Sequence, residues 1–143
     1  MKIERMQEKH IFSVVQIAAD SLPDAWSEKA FSDELKNPSA TVFVALSGDE
    51  VVGFGGVQHI LDEAYITNIA VKKDFRRKGV GNALLSAIIN HSEKCRFVTL
   101  EVRVSNSAAI KLYEKSGFVS QGIRKRFYSH PTEDANIMTL FLR

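Results

Sequence analysis

Three groups of residues in this chain are of types and spacings that could do chemistry. "RRKGVGNALL", residues 76–85, sets three cations and two glycines directly before an apolar helical pattern. Glycines at 79 and 81 let main chain approach a ligand closely, and the free N–H groups of a helix start, with roughly half a positive charge from the helix dipole, suit an anion. The same residues also suit an ordinary capped turn. They do not form a Walker P-loop, because Asn82 follows Gly81 where Lys-Ser or Lys-Thr is required, nor a dinucleotide fingerprint, because Leu84 replaces the third glycine. Glu101 lies on the alternating run "FVTLEVRV" and projects away from Leu100 and Val102. It could accept a proton, or simply pair with Arg103, its same-face neighbour. Tyr113 lies seven residues after Asn106, close to two helical turns, so the two side chains share a face and can address one ligand. A tyrosine there could equally be core, with its hydroxyl satisfied.

The elements that must position these groups follow from periodicity. "KIERM" predicts a short strand, followed by helices over "HIFSVVQIAADSL" and "SEKAFSDELKN", the second capped by Ser27 and stopped at Pro38. "TVFVALSG" and "EVVGFGGVQHI" form a hairpin through "SGDE", and "AYITNIAV" is a third strand. Val80, Leu84 and Ile88 mark one face of a helix that packs on the sheet. After "FVTLEVRV" comes the helix "NSAAIKLYEKSG", capped by Asn106 or Ser105 and ended by Gly117. Strands "FVSQGIRKRFY" and "ANIMTLFLR" then flank a polar loop, "SHPTED". This order implies a mixed α/β sheet with helices on both faces.

Length and composition bound the function. The 143 residues suit one domain spanning 1–143, with no linker, repeat or low-complexity tract. A net charge of +2 gives no field for nucleic acid, so no nucleic-acid partner is expected. The N-terminus is charged from its second residue and no apolar run reaches membrane-spanning length, so a cytoplasmic protein without a membrane partner is expected, as a monomer or weak dimer. Cys95 is the sole cysteine, which fits a reducing compartment, and the four histidines lack metal-ligand spacing, so no metal is expected.

"NIAVKKDFRRKGVGNALL" resembles the acyl-CoA signature of the GNAT acetyltransferase superfamily, a strand followed by Arg/Gln-x-x-Gly-x-Gly/Ala and a helix, matched by Arg76, Gly79 and Gly81. "SNSAAIKLYEKSGF" resembles its next landmark, an Asn opening a helix that carries a Tyr. The likeness covers nearly the whole chain. Through "AWSEKAF", "LDEAYITNIAV" and "GIRKRFYSHPTEDANIMTL" it is most similar to the bacterial ribosomal-protein-alanine N-acetyltransferases. The resemblance implies a GNAT fold, a mostly antiparallel mixed twisted sheet of about six or seven strands, and acetyl-CoA as co-substrate without a metal. The acceptor it implies is the N-terminal alanine of a small-subunit ribosomal protein.

By that resemblance the main chain of Ile69, Ala70 and Val71 pairs with the pantetheine arm like an added strand. Arg76, Arg77, Lys78, Gly79, Val80 and Gly81, with Asn82 at the opening of the helix, take the CoA diphosphate, and Asn106 also contacts CoA. Glu101 becomes the general base and Tyr113 the general acid. Trp26, Glu63 and Tyr128 line the peptide cleft, although each also has a plain role as core anchor, turn residue or strand aromatic. One departure affects the substrate loop: Pro23 stands three positions before Trp26, where the relatives place a proline directly ahead. An α-amine is about one-tenth neutral at pH 7 and a lysine amine only about once in 2,500, so an α-amine is the easier acceptor for a lone Glu. A small-amine acetyltransferase and a catalytically silent CoA-binding sensor are the alternatives.

Overall fold

A computed structural model describes residues 1–143. Seven strands form one sheet in the order β1-β2-β3-β4-β5-β7-β6, where β1 is Lys2–Arg5, β2 Ala40–Ser47, β3 Glu50–Ile60, β4 Glu63–Val71, β5 Phe97–Arg103, β6 Val119–Ser129 and β7 Thr132–Phe141. Every neighbouring pair is antiparallel except β4 and β5. The mixed, mostly antiparallel sheet expected from the sequence is therefore the one found.

Helices α1 (Ile11–Ser21) and α2 (Glu28–Lys36) bury Val14, Ile17, Ala18 and Phe31 against Val42, Val44, Phe54 and Ala70 on one face of the sheet. Phe31 and Phe54 meet edge to face at 5.4 Å. Helices α3 (Val80–His91) and α4 (Ser107–Lys115) cover the other face, where Leu85, Ile88 and Tyr113 pack with Val98, Leu100 and Val102. The expected caps are present. Ser27 accepts from the Ala30 N–H, Asn106 accepts from the Ala109 N–H, and Gly117 takes the left-handed φ of +97° that ends α4. The "SHPTED" stretch is a correction: β6 runs on to Ser129 and β7 starts at Thr132, leaving only His130 and Pro131 as the turn. Its polar side chains signalled a loop, whereas the cross-strand ladder, with Ser129 opposite Thr132, decided the pairing.

Two irregularities position the site. Strands β4 and β5 pair only through Glu63–Phe97, Ala64–Val98 and Tyr65–Thr99, and beyond these the two strands have no register partners. In the same region the β3–β4 register jumps from Gly56–Asn68 to Val57–Ile66, which leaves Thr67 as an extra residue in β4. A bulge sets two adjacent side chains on one side. A Cβ on Gly56 would lie 2.6 Å from Thr67 Oγ1 and 2.9 Å from Asn68 Oδ1, so only glycine leaves both polar groups their present space.

Candidate active site

Where β4 and β5 part, a cleft passes through the sheet. Ile66–Ile69 of β4 and Leu100–Arg103 of β5 form its sides, with Trp26, Asn106, Tyr113 and Tyr128 among the remaining lining. Its volume is about 190 Å³, open on one side to solvent. That is less than the roughly 300 Å³ or more that encloses a drug-sized molecule, so a larger ligand must extend out of it.

Glu101 and Tyr113 reach this cleft from opposite faces of the sheet. Leu100 and Val102 point to the α3–α4 side with Tyr113, so alternation turns Glu101 to the side of α1 and α2. Glu101 does not pair with Arg103. Its Oε1 accepts from Arg124 Nη1 of β6 at 3.1 Å, and both side chains are about a third or more exposed. Tyr113 is buried, yet no buried side-chain oxygen or nitrogen lacks a partner, and its hydroxyl bonds to no protein group, so that oxygen opens to the cleft. Burial pushes the Tyr113 phenol well above its ordinary range, and Tyr128 adds to the effect.

The main chain beside the cleft has unused hydrogen-bonding capacity. Lys72 N–H donates to the Val52 carbonyl, so by antiparallel alternation Ala70 is in the β3 ladder while Ile69 and Val71 turn their N–H and C=O groups toward the unpaired edge, where the Val71 carbonyl already accepts from Arg76 Nε. Beyond them, no backbone N–H from Arg77 to Asn82 donates to the protein, and Ala83, bonded to the Gly79 carbonyl, is the first that does. Arg77 (φ +63°) and Gly79 (φ +83°) are both left-handed. Such a chain turns successive N–H groups into one concavity. At Gly81 a Cβ would lie 3.3 Å from Leu112, so the glycine lets the first turn of α3 close on α4.

Not all the candidate residues join this arrangement. Arg76, though exposed, folds back onto the protein: Nε donates to the Val71 carbonyl at 3.0 Å and Nη2 to Ser21 Oγ at 3.2 Å, bracing the end of β4 against α1. Lys78 lies over the Phe75 ring and Arg77 is exposed. The Val80 side chain is core, leaving only its N–H for a ligand. Asn82 falls within the first turn of α3, and Asn106 uses its oxygen as a cap while lining the cleft. Trp26 is both core anchor and cleft wall, in contact with Phe31 at 5.4 Å. Glu63 lies outside the lining at the start of β4, where it accepts from Tyr65 and from Arg96. Tyr128 lines the cleft under the Arg103 guanidinium, whose carbon is 4.3 Å from the ring centre. Sequence reasoning missed Arg103 as more than a partner for Glu101. Nor did anything in the strand "FVSQGIRKRFY" mark Arg124 as the partner of Glu101.

Residues 11–118 match the Acetyltransferase (GNAT) family. The chain is 43% identical to the [Ribosomal protein bS18]-alanine N-acetyltransferase of Escherichia coli strain K12, over 80% of each chain. It is 32% identical to an N-alpha-acetyltransferase of Sulfurisphaera tokodaii, over 96% of this chain and 90% of that one. The crystal structure of the ribosomal-protein-S18-alanine N-acetyltransferase from Escherichia coli superposes with a TM-score of 0.89 at 35% identity, covering 99% of this chain and 93% of the other. The chain belongs to the GNAT family and is an acetyltransferase.

Proposed function

We propose that the protein transfers acetyl from acetyl-CoA directly to the N-terminal α-amine of a protein, the alanine terminus of a small-subunit ribosomal protein. The observation that carries this reading is the convergence of Glu101 and Tyr113 on one cleft from opposite faces of the sheet. The identity of 43% to the Escherichia coli enzyme supports the choice of acceptor. A ribosomal-protein acceptor places the reaction in the cytoplasm.

The residues present fit the donor. The unpaired edge at Ile69 and Val71 can take an extended pantetheine arm as an added strand, and the free N–H groups of Arg77 to Asn82 suit a diphosphate. The amide of Asn106 faces the same cleft. Arg76 acts by bracing this edge. When bound, acetyl-CoA supplies an activated acyl group on sulfur. Glu101 Oε accepts the proton that the α-amine must lose, and Tyr113 Oη donates a proton at the sulfur. The raised phenol suits that role, since Tyr113 stays protonated throughout the neutral range. An N–H of β4 close to Val71 polarises the carbonyl. Cys95 is buried away from the cleft lining, and burial raises its thiol, so transfer needs no acyl-enzyme.

Mass spectrometry of protein N-termini from cells with and without this protein tests the reading. A ribosomal-protein alanine terminus should lose an acetyl group only in its absence. Unchanged termini, together with CoA release on polyamines rather than on an alanine-start peptide, would overturn it.

A further inference from the structure

We propose that Arg103 is a positioning residue that latches the two walls of the acceptor mouth together and so sets how tightly a peptide terminus is held. This rests on the reading of the chain as an N-terminal acetyltransferase. One wall is the α1–α2 loop, which carries Asp24 and Trp26, and the other is the tip of the β6–β7 hairpin with Tyr128.

A single guanidinium joins them. Arg103 Nη2 donates to Asp24 Oδ2 at 2.8 Å and to the His130 carbonyl at 3.3 Å. Nη1 donates to Glu133 Oε1 at 3.1 Å and to the Pro131 carbonyl at 2.9 Å. The side chain is only 12% exposed, which separates this arrangement from a solvated surface pair. Glu133 is held in turn, because its other oxygen accepts from the Ser105 N–H at 2.8 Å. Asp24 has no comparable second bond: its other close charged neighbour is His130 Nδ1, at 4.0 Å. Without Arg103 the loop bearing Trp26 therefore loses its hydrogen-bonded tie to the hairpin and keeps the 4.0 Å contact of Asp24 with His130. Arg103 also leaves β5 on the same face as Glu101, two residues on, so the latch and the carboxylate share one strand.

The geometry requires arginine. A lysine keeps the charge but offers no planar fork to span two carboxylates and two carbonyls, and no flat face for the Tyr128 ring. A peptide continues past its first residue between the two walls, whereas a small amine occupies only the cleft itself. The latch accordingly governs peptide binding and leaves donor binding alone.

Steady-state kinetics of the full chain, with an alanine-start hexapeptide and with spermidine as acceptors, test this. Arg103→Lys should raise the peptide KM on the order of tenfold, while the acetyl-CoA KM and the kcat at saturating peptide stay within about twofold. Asp24→Asn, on an exposed loop, should move the peptide KM in the same direction and provides the test if Arg103→Lys folds poorly. The double variant should cost no more than the larger single change, because both remove one latch. Unchanged peptide KM in both variants, or donor and peptide KM rising in parallel, overturns the latch alone. Wild-type turnover of spermidine with none of the peptide overturns the N-terminal reading and the latch with it.

Discussion

Glu101 holds an ion pair that its proposed role requires it to exchange. Arg124 is half exposed, and a pair of this kind contributes roughly 0–1 kcal/mol, so an incoming ammonium can displace it at small cost. Glu101→Gln should lower kcat on the order of 10²-fold or more while leaving acetyl-CoA affinity little changed. Thiol release and donor titration separate the two, and unaltered turnover would remove Glu101 from the chemistry. Tyr113→Phe should lower kcat at every pH. Because burial raises the Tyr113 phenol, the protonated acid persists through the ordinary phenol range, so the wild-type rate should show no alkaline loss from this group below pH about 10. A wild-type rate for Tyr113→Phe across that range would exclude the role. At this scale alternation and helical spacing made legible the faces on which Glu101 and Tyr113 stand, whereas their roles were implied only by the family resemblance. The Arg103 fork was not legible, because its partners Asp24 and Glu133 are distant in sequence and only the fold brings them together.

Among the elements, α3 depends on how closely it approaches the sheet. A Cβ on Gly53 would lie 3.0 Å from Val80 Cγ1, 3.1 Å from the Ala70 carbonyl and 3.2 Å from Leu84 Cδ1. Helix and neighbouring strand are both in the way, and one is backbone that cannot rotate aside. Gly53→Ala should therefore destabilise the fold by about 1–3 kcal/mol, read by urea denaturation. It should also raise the acetyl-CoA KM, since the free N–H groups stand at the start of the same helix; a full-stability variant would show that the helix can shift without strain. Helices, caps and the succession of elements along the chain could be read because each is written in local periodicity and in Ser27, Asn106 and Gly117. The extent of β6 and β7 could not. Their hairpin extends through residues polar enough to read as a loop, and β6 is exposed along almost its whole length.

For the whole molecule, His59 and His91 stack at 5.0 Å where the end of α3 meets β2 and β3. Hydroxyls of Ser92 and Thr41 and the edge of Phe43 face the rings, and Arg5 adds a nearby positive charge to His91. Burial, first among the causes, lowers both below 6.5, and His10 shares the sign despite Glu4. The folded state thus binds fewer protons than the unfolded chain. Stability is full above the unfolded value near 6.5 and falls as pH drops below it. Urea midpoints at pH 7.5 and 5.5 should show this decline, and His91→Gln should flatten it; equal midpoints for the wild type would refute the coupling.

No helix here is long and apolar enough to cross a membrane. The parting of β4 from β5 is the largest feature that periodicity could not reveal, since both strands read alike with or without a neighbour. Its consequence is mechanical. Three residue pairs are all the strand pairing that joins the four strands on one side to the three on the other, so the sheet is two plates sharing a short seam. A donor laid along the open edge would rivet them, and at a hundred times its Kd would add about 2.7 kcal/mol to the stability of the whole. Melting temperature thereby becomes a direct gauge of occupancy, and the amides nearest the seam should be the ones whose hydrogen exchange slows most.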